Sequence, residues 1–145
     1  MKLKVKTIVK QPILKVWEGF DETLFVKLAP PFPSVKLLQF DGSKKGDRVA
    51  LELNFLLFRQ KWISDIIEHN ENEDQIFFID KGVILPFFLK TWQHKHILKR
   101  NGNGTEIIDD IRYSTGTLLT DMLMFPGLYL QFLYRKPVYR KIFFK

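Results

Sequence analysis

The sequence contains no cysteine, and this absence excludes several kinds of site. Without thiols the chain has no disulfide, no thiolate metal site and no cysteine nucleophile. Long apolar runs are also missing, so no segment is expected to span a bilayer. The N-terminus alternates charged and apolar residues and has no continuous apolar core. We therefore expect no signal peptide and a cytoplasmic location.

Phosphate-binding glycine loops, internal repeats and linkers are absent as well. The glycines fall mainly in turn-rich stretches, and no low-complexity segment divides the chain. At 145 residues the chain is long enough to bury a sizeable core without disulfides. We predict a single domain over residues 1–145.

Positive charge collects at the C-terminus. The net charge is +7, and no acidic residue follows Asp121. The tail interleaves cations with aromatic residues, which are Arg135, Lys136, Arg140, Lys141 and Lys145 with Tyr134, Tyr139, Phe143 and Phe144. The simpler interpretation is a packed helix with solvated cations, and the alternative is contact with an anionic membrane surface. Nucleic acid is not predicted, because no recognition module is visible.

The order of predicted elements indicates an α+β fold. Residues 2–9 alternate between charged and apolar side chains, which is typical of a half-buried strand. Two short helices follow, the first opened by Pro12 and the second capped by Asp21. Later strands are predicted over residues 34–40, 48–58, 60–69 and 75–80, with two more in the segment 92–113. Segment 81–90 contains Pro86 and is predicted to be a bulged or looped crossing.

A long helix is predicted after residue 117, because Leu128, Phe132 and Arg135 or Lys136 fall at helical intervals. Pro126 could open its main part, and Pro137 should kink or end it. Together these elements predict a helix-grip fold, in which a curved seven-stranded antiparallel sheet holds the C-terminal helix. Such a packing makes one core and leaves a cavity between sheet and helix.

The segment from residue 92 to residue 113 predicts a β-hairpin around the sequence Asn-Gly-Asn-Gly. A turn centred on Gly102-Asn103 puts one set of residues on a single face, paired as Trp92 with Tyr113, His94 with Ile111, His96 with Asp109, and Leu98 with Ile107. The opposite face carries charged residues of opposite sign across the two strands, which suits water. The inner face is thus apolar except for two histidines and one aspartate, and buried polar groups need partners.

Three uses of these polar residues are open. The simplest is a hydrogen bond between His96 and Asp109 that satisfies both groups. The second is that His94, His96 and Asp109, with Asp80, orient a ligand in an apolar pocket, where a histidine held by a carboxylate could also move protons. The third is a metal site, since two histidines and one carboxylate resemble a facial triad. We favour binding over catalysis and predict no metal and no cofactor.

The whole-chain pattern resembles a known superfamily. The string Phe78-x-Asp80, Trp92-x-His94-x-His96, Thr105 and Asp109-x-x-x-Tyr113 is similar to a pattern in bacterial proteins of the START-like superfamily. That superfamily includes the Bet v 1 allergens and the polyketide cyclase/dehydrase (SRPBCC) relatives. The resemblance implies a cavity for an apolar or amphipathic small molecule, with cyclase activity in some relatives and carriage in others.

We therefore predict binding or carriage of a lipid, quinone or polyketide-like molecule. The alternative is a cyclase or dehydrase that uses His96 and Asp109 as its catalytic pair. The predicted ligand-binding residues are Phe78, Asp80, Trp92, His94, His96, Asp109 and Tyr113.

Overall fold

The computed structural model describes residues 1–144, and Lys145 of the basic tail lies outside the described residues. Its strands are β1 (Lys2–Val9), β2 (Ser34–Phe40), β3 (Arg48–Asn54), β4 (Arg59–Glu71), β5 (Gln75–Ile84), β6 (Thr91–Asn101) and β7 (Gly104–Ser114). Its helices are α1 (Ile13–Glu18), α2 (Glu22–Leu28), α3 (Leu118–Leu133) and α4 (Arg135–Ile142).

The seven strands form one antiparallel sheet in the order β1-β7-β6-β5-β4-β3-β2. The sheet curves into a half-barrel, α1 and α2 follow the first strand, and the C-terminal helix lies in the concave face. The predicted helix-grip fold is confirmed. Its physical basis is that one concave apolar face needs an apolar helix to cover it.

Local sequence signals account for the first elements. β1 alternates exposed and buried residues along its whole length, as its charged and apolar residues predict. Asp21 caps α2, and its carboxylate accepts a hydrogen bond of 2.9 Å from the backbone of Leu24. α2 ends at Leu28, just before the proline-rich segment.

Two strand boundaries differ from the prediction. β3 ends at Asn54, so residues 55–58 form a tight turn in which the amide of Phe55 donates to the carbonyl of Phe58 at 2.9 Å. Apolar composition suggested a longer strand, but these residues turn. β5 continues to Ile84 through a register shift opposite Ile63 and Ser64, so the predicted crossing is a bulged strand end followed by a short loop.

The predicted C-terminal helix is present in two parts. α3 begins after Thr117, whose hydroxyl caps the helix, so Pro126 lies inside α3 and does not open it. The axis breaks at Tyr134, and α4 follows with Pro137 in its first turn. A proline cannot donate to the carbonyl four residues earlier and clashes with it, which explains the break before Pro137.

The C-terminal aromatic residues divide between core and surface. Tyr139 and Phe143 are buried and pack with Phe20 of the α1–α2 connection. These two side chains therefore do not face a membrane, in contrast to the alternative interpretation of the tail, whereas Tyr134 remains exposed. Within residues 1–144, no helix has the length and apolar character needed to cross a bilayer.

Candidate functional site

A cavity of about 440 Å³ lies between the concave face of the sheet and α3. This volume is within the range of pockets that hold small molecules, roughly 300–1,000 Å³. Most of its wall is apolar and comes from α2, β2 to β6 and α3. Representative lining residues are Leu24, Leu28, Val49, Leu51, Leu53, Trp62, Ile66, Trp92 and Leu128.

Four ionisable side chains are grouped on one part of the wall. Asp80 on β5, His94 and His96 on β6, and Arg135 at the start of α4 all line the cavity. The predicted hairpin register is confirmed, since His96 lies opposite Asp109 and His94 opposite Ile111. The alternation of the strand therefore carries both histidines to the concave face, as the sequence indicates.

The hydrogen bonds of the two histidines run diagonally rather than straight across the sheet. His94 Nε2 lies 2.9 Å from Asp109 Oδ1, and His96 Nε2 lies 2.6 Å from Asp80 Oδ2. The predicted bond between His96 and Asp109 is wrong. The two imidazole rings stack with their centroids 3.5 Å apart. Each ring bonds to a carboxylate on the adjacent strand that is displaced by two residues from the position directly opposite.

Asp109 is held by a residue of the C-terminal helices. Arg135 Nη1 donates to Asp109 Oδ1 at 3.0 Å, and both side chains are largely buried. The guanidinium also lies over the ring of Phe132, 4.5 Å from its centroid. The polar group of the cavity is therefore a continuous chain from Arg135 through Asp109 to His94. The ring of His96 stacks on His94 and is hydrogen-bonded to Asp80.

Burial and the neighbouring charges together set the charge of this group. Burial lowers the pKa of His96 to about 4, an effect to which His94 adds and which the hydrogen bond to Asp80 opposes. Burial would raise the pKa of Asp109, but Arg135 and the bond from His94 outweigh it and lower that pKa to about 2. Burial would also raise the pKa of Asp80, but the bond from His96 and the charges of His96, His94 and Arg135 together outweigh it and lower that pKa. At neutral pH, His96 is neutral and both carboxylates are charged.

Two predicted site residues do not line the cavity. Asp109 is 1% exposed and lies behind His94 and Arg135, so it acts on them and not on the ligand space. Tyr113 is buried, and its hydroxyl donates to the backbone carbonyl of Asp121 at 2.7 Å. That bond fixes the start of α3 against β7. The other predicted residues, which are Phe78, Asp80, Trp92, His94 and His96, all line the cavity.

Three potential metal ligands, Asp80, His94 and His96, lie close together. One oxygen of Asp80 and one nitrogen from each of His94 and His96 lie within 4.8 Å of one another, a donor set that suits zinc, iron or manganese. The sequence pointed to Asp109 in place of Asp80 for such a triad. The 2.6 Å contact between Asp80 and His96 is that of a hydrogen bond. A metal about 2.1 Å from each donor would have to break it.

Solved structures supply the comparison with known proteins. The chain is similar to the Zhui aromatase/cyclase of Streptomyces sp. R1128, with a TM-score of 0.71, 12% identity, and coverage of 98% of this chain and 95% of that one. It is similar to CV1439 of Chromobacterium violaceum, with a TM-score of 0.71, 13% identity and coverage of 98% and 96%. The Bet v 1 allergen Ara h 8.0201 matches with a TM-score of 0.60, 12% identity and coverage of 97% and 98%.

The chain has the START-like, Bet v 1-like fold. No protein-family model matches the sequence, and no curated protein matches it significantly. At these identities the START-like fold is shared but the activity of any neighbour is not thereby transferred.

Arg135 is a cavity-lining residue that the sequence analysis does not place in the candidate site. In the sequence Arg135 belongs to the cations of the tail, although it also follows Leu128 and Phe132 at helical spacing. An arginine on the apolar stripe of a helix has to find a buried anion, and Asp109 is that anion. The helical spacing of Arg135 indicates that its side chain is buried. The sequence does not show that Asp109 is its partner.

Proposed function

We propose that the protein binds and carries an apolar small molecule that bears an uncharged polar group, such as a quinone or a polyketide-like ring. The observation that carries this proposal is the 440 Å³ cavity, which has mostly apolar walls and one cluster of ionisable residues, Asp80, His94, His96 and Arg135. Apolar walls supply affinity by excluding water, and a few polar groups orient the ligand.

The charge of the polar group favours an uncharged ligand. Two carboxylates, Asp80 and Asp109, face the single guanidinium of Arg135, and His96 is neutral. The set therefore has no excess of positive charge with which to hold a fatty-acid carboxylate. A carbonyl or hydroxyl can instead accept from Arg135 or pair with the open nitrogen of a neutral imidazole.

Catalysis by a histidine–carboxylate pair is the second candidate, and the 2.6 Å contact between His96 and Asp80 favours it. A general base works best when its pKa is near the working pH. His96, with a pKa of about 4, is a weak base at neutral pH, so carriage is the better-supported function. Turnover of a keto substrate that is lost in His96→Gln, with binding retained, would reverse this order.

A cavity-filling variant tests carriage. Gly127 lines the cavity from α3, and a Cβ atom added there meets no atom within 4 Å, so Gly127→Phe should fill the ligand space without disturbing the fold. Met122→Phe, at an exposed position of the same helix, is the matched control. We expect Nile red, a neutral fluorescent probe, to bind wild type and the control and to bind Gly127→Phe at least about tenfold more weakly.

Competition identifies the ligand class. A naphthoquinone should displace Nile red from wild type, and a fatty acid of similar size should displace it poorly. Native mass spectrometry, followed by extraction, then identifies any small molecule that co-purifies. Equal Nile red binding by wild type and Gly127→Phe would contradict the proposal, since the probe would then not occupy the cavity.

A further inference from the structure

Exposed apolar side chains are concentrated at one end of the molecule. They come from the β3–β4 turn, the β5–β6 loop and the first two turns of α3. We call this set the apolar tip, and it consists of Leu56, Leu57, Phe58, Phe87, Leu118, Leu119, Met122 and Leu123. Contiguous exposed apolar surface of this kind marks an interaction site.

Contacts between the loops show that these residues share one end of the sheet. The rings of Phe58 and Phe87 lie 5.8 Å apart and join the β3–β4 turn to the β5–β6 loop. Lys90 of that loop donates its amide to the carbonyl of Ser114 at 2.8 Å and lies beside Gly116, which precedes α3. The three segments therefore form one surface.

The apolar tip adjoins the ligand cavity. Phe55 and Phe88 lie behind it, with their rings 5.7 Å apart, and both line the cavity. Leu123 is 72% exposed and also lines the cavity. The cavity thus reaches the surface beside the apolar tip.

The β3–β4 turn holds its leucines outward at a conformational cost. Leu56 has a φ of 76°, in the left-handed region that non-glycine residues rarely adopt, and its amide is fixed by Asn54 Oδ1 at 2.8 Å. Leu56 and Leu57 are nevertheless 83% and 95% exposed. Strained backbone that presents leucines to water is a feature expected of a functional loop.

Cations surround the apolar tip. The segments that form the tip contain three exposed cations, Arg59, Lys61 and Lys90, and the neighbouring strands β2 and β7 carry two more, Lys36 and Arg112. The three segments that form the tip, residues 52–61, 85–91 and 114–124, contain only two acids. Of these, Asp121 is buried, and Glu52 lies 3.8 Å from Arg59.

We propose that the apolar tip docks on an anionic lipid bilayer, with Leu56 and Leu57 inserted among the acyl chains and the surrounding cations on the head groups. Shallow insertion of apolar side chains with basic neighbours is how proteins bind membrane surfaces. This docking proposal rests on the proposed carrier function. Because the cavity opens beside the docked surface, a ligand can pass between the bilayer and the cavity without crossing water. A second copy of the chain fits less well, since two-fold contact would bring like charges together.

Vesicle flotation of the ligand-free protein tests the docking. We expect wild type to float with vesicles of phosphatidylcholine and phosphatidylserine, and to float less with phosphatidylcholine alone or at high salt. The variant Leu56→Asn with Leu57→Ser should bind at least about tenfold more weakly, because two inserted side chains are lost. Its thermal midpoint should not fall, since asparagine tolerates a positive φ.

The matched control is Leu14→Ser with Val26→Ser, which removes two exposed apolar side chains from α1 and α2 and should float like wild type. A further variant, Arg140→Ser with Lys141→Ser, tests the C-terminal helix as the contact surface. The proposal is overturned if wild type does not float, if either of these variants loses as much binding as the tip variant, or if sedimentation shows a dimer that the tip variant abolishes.

The outcomes separate docking from carriage. Flotation without Nile red uptake would leave the docking surface in place and remove the carrier function. Nile red uptake without flotation would do the reverse.

Discussion

Acidification should destabilise this protein through His96, and replacing that residue with glutamine should remove the effect. Burial lowers the pKa of His96 from 6.5 to about 4. Between these values the unfolded chain binds a proton here and the folded chain does not, so stability falls as the pH drops. The contribution of His96 to the free energy of unfolding is fully present above pH 6.5 and is lost as the pH falls to 4. The loss between these two pH values is about 3 kcal/mol.

Urea unfolding followed by tryptophan fluorescence, in steps from pH 7.5 to pH 4.5, measures this loss. Glutamine does not titrate, and its amide can still donate to Asp80. Wild type should therefore lose about 2 kcal/mol more than His96→Gln over the range. The comparison variant is His69→Gln, which removes a histidine that packs on Trp17 outside the cavity. If it changes the profile as much as His96→Gln does, the effect is not specific to His96.

Parallel pH profiles for wild type and His96→Gln would refute the reasoning, because the acid loss would then come from other groups. Protonation of Asp109 does not contribute to the loss of stability between pH 7.5 and pH 4.5. Its pKa is lowered from 3.8 to about 2, so the stability it contributes is present above pH 3.8 and is lost only below that value.

Three further predictions concern the fold, each measured as the free energy of unfolding in urea. Arg135→Met should destabilise by about 3–5 kcal/mol, because the buried carboxylate of Asp109 loses its guanidinium partner and keeps only its bond with His94; adding Asp109→Asn should recover much of this, and no recovery would exclude the ion pair as the cause. Gly104→Ala puts a methyl group against the carbonyl of Val9 and should destabilise by about 2 kcal/mol, so an unchanged value would contradict that close approach. Pro126→Ala should stabilise by about 1–3 kcal/mol, because α3 regains a backbone hydrogen bond; a loss would show that proline fits its site.

The hairpin at the centre of the site was predictable because its determinants are local. Gly102 adopts a φ of 58° in the two-residue turn, and this turn sets the pairing of every residue from Trp92 to Tyr113. The period of two then decides which side chains face inward. The same local logic predicted β1 and the capped start of α2.

The 55–58 turn shows where composition misleads. Four apolar residues in a row favour a strand, yet a backbone turn exposes Leu56 and Leu57. Whether an apolar run is buried depends on whether the rest of the fold covers it, which no local pattern reports.

The sequence by itself determined the sheet, the register of its hairpin and the presence of two inward histidines, because turns and alternation act over a few residues. Only the tertiary structure decided which carboxylate each histidine binds. Sheet curvature and ring stacking turned the bonds diagonal, so His96 took Asp80, and Arg135, 26 residues away along the chain, came to hold Asp109. Those choices depend on how a helix docks across a curved sheet, and that is a property of the assembled core.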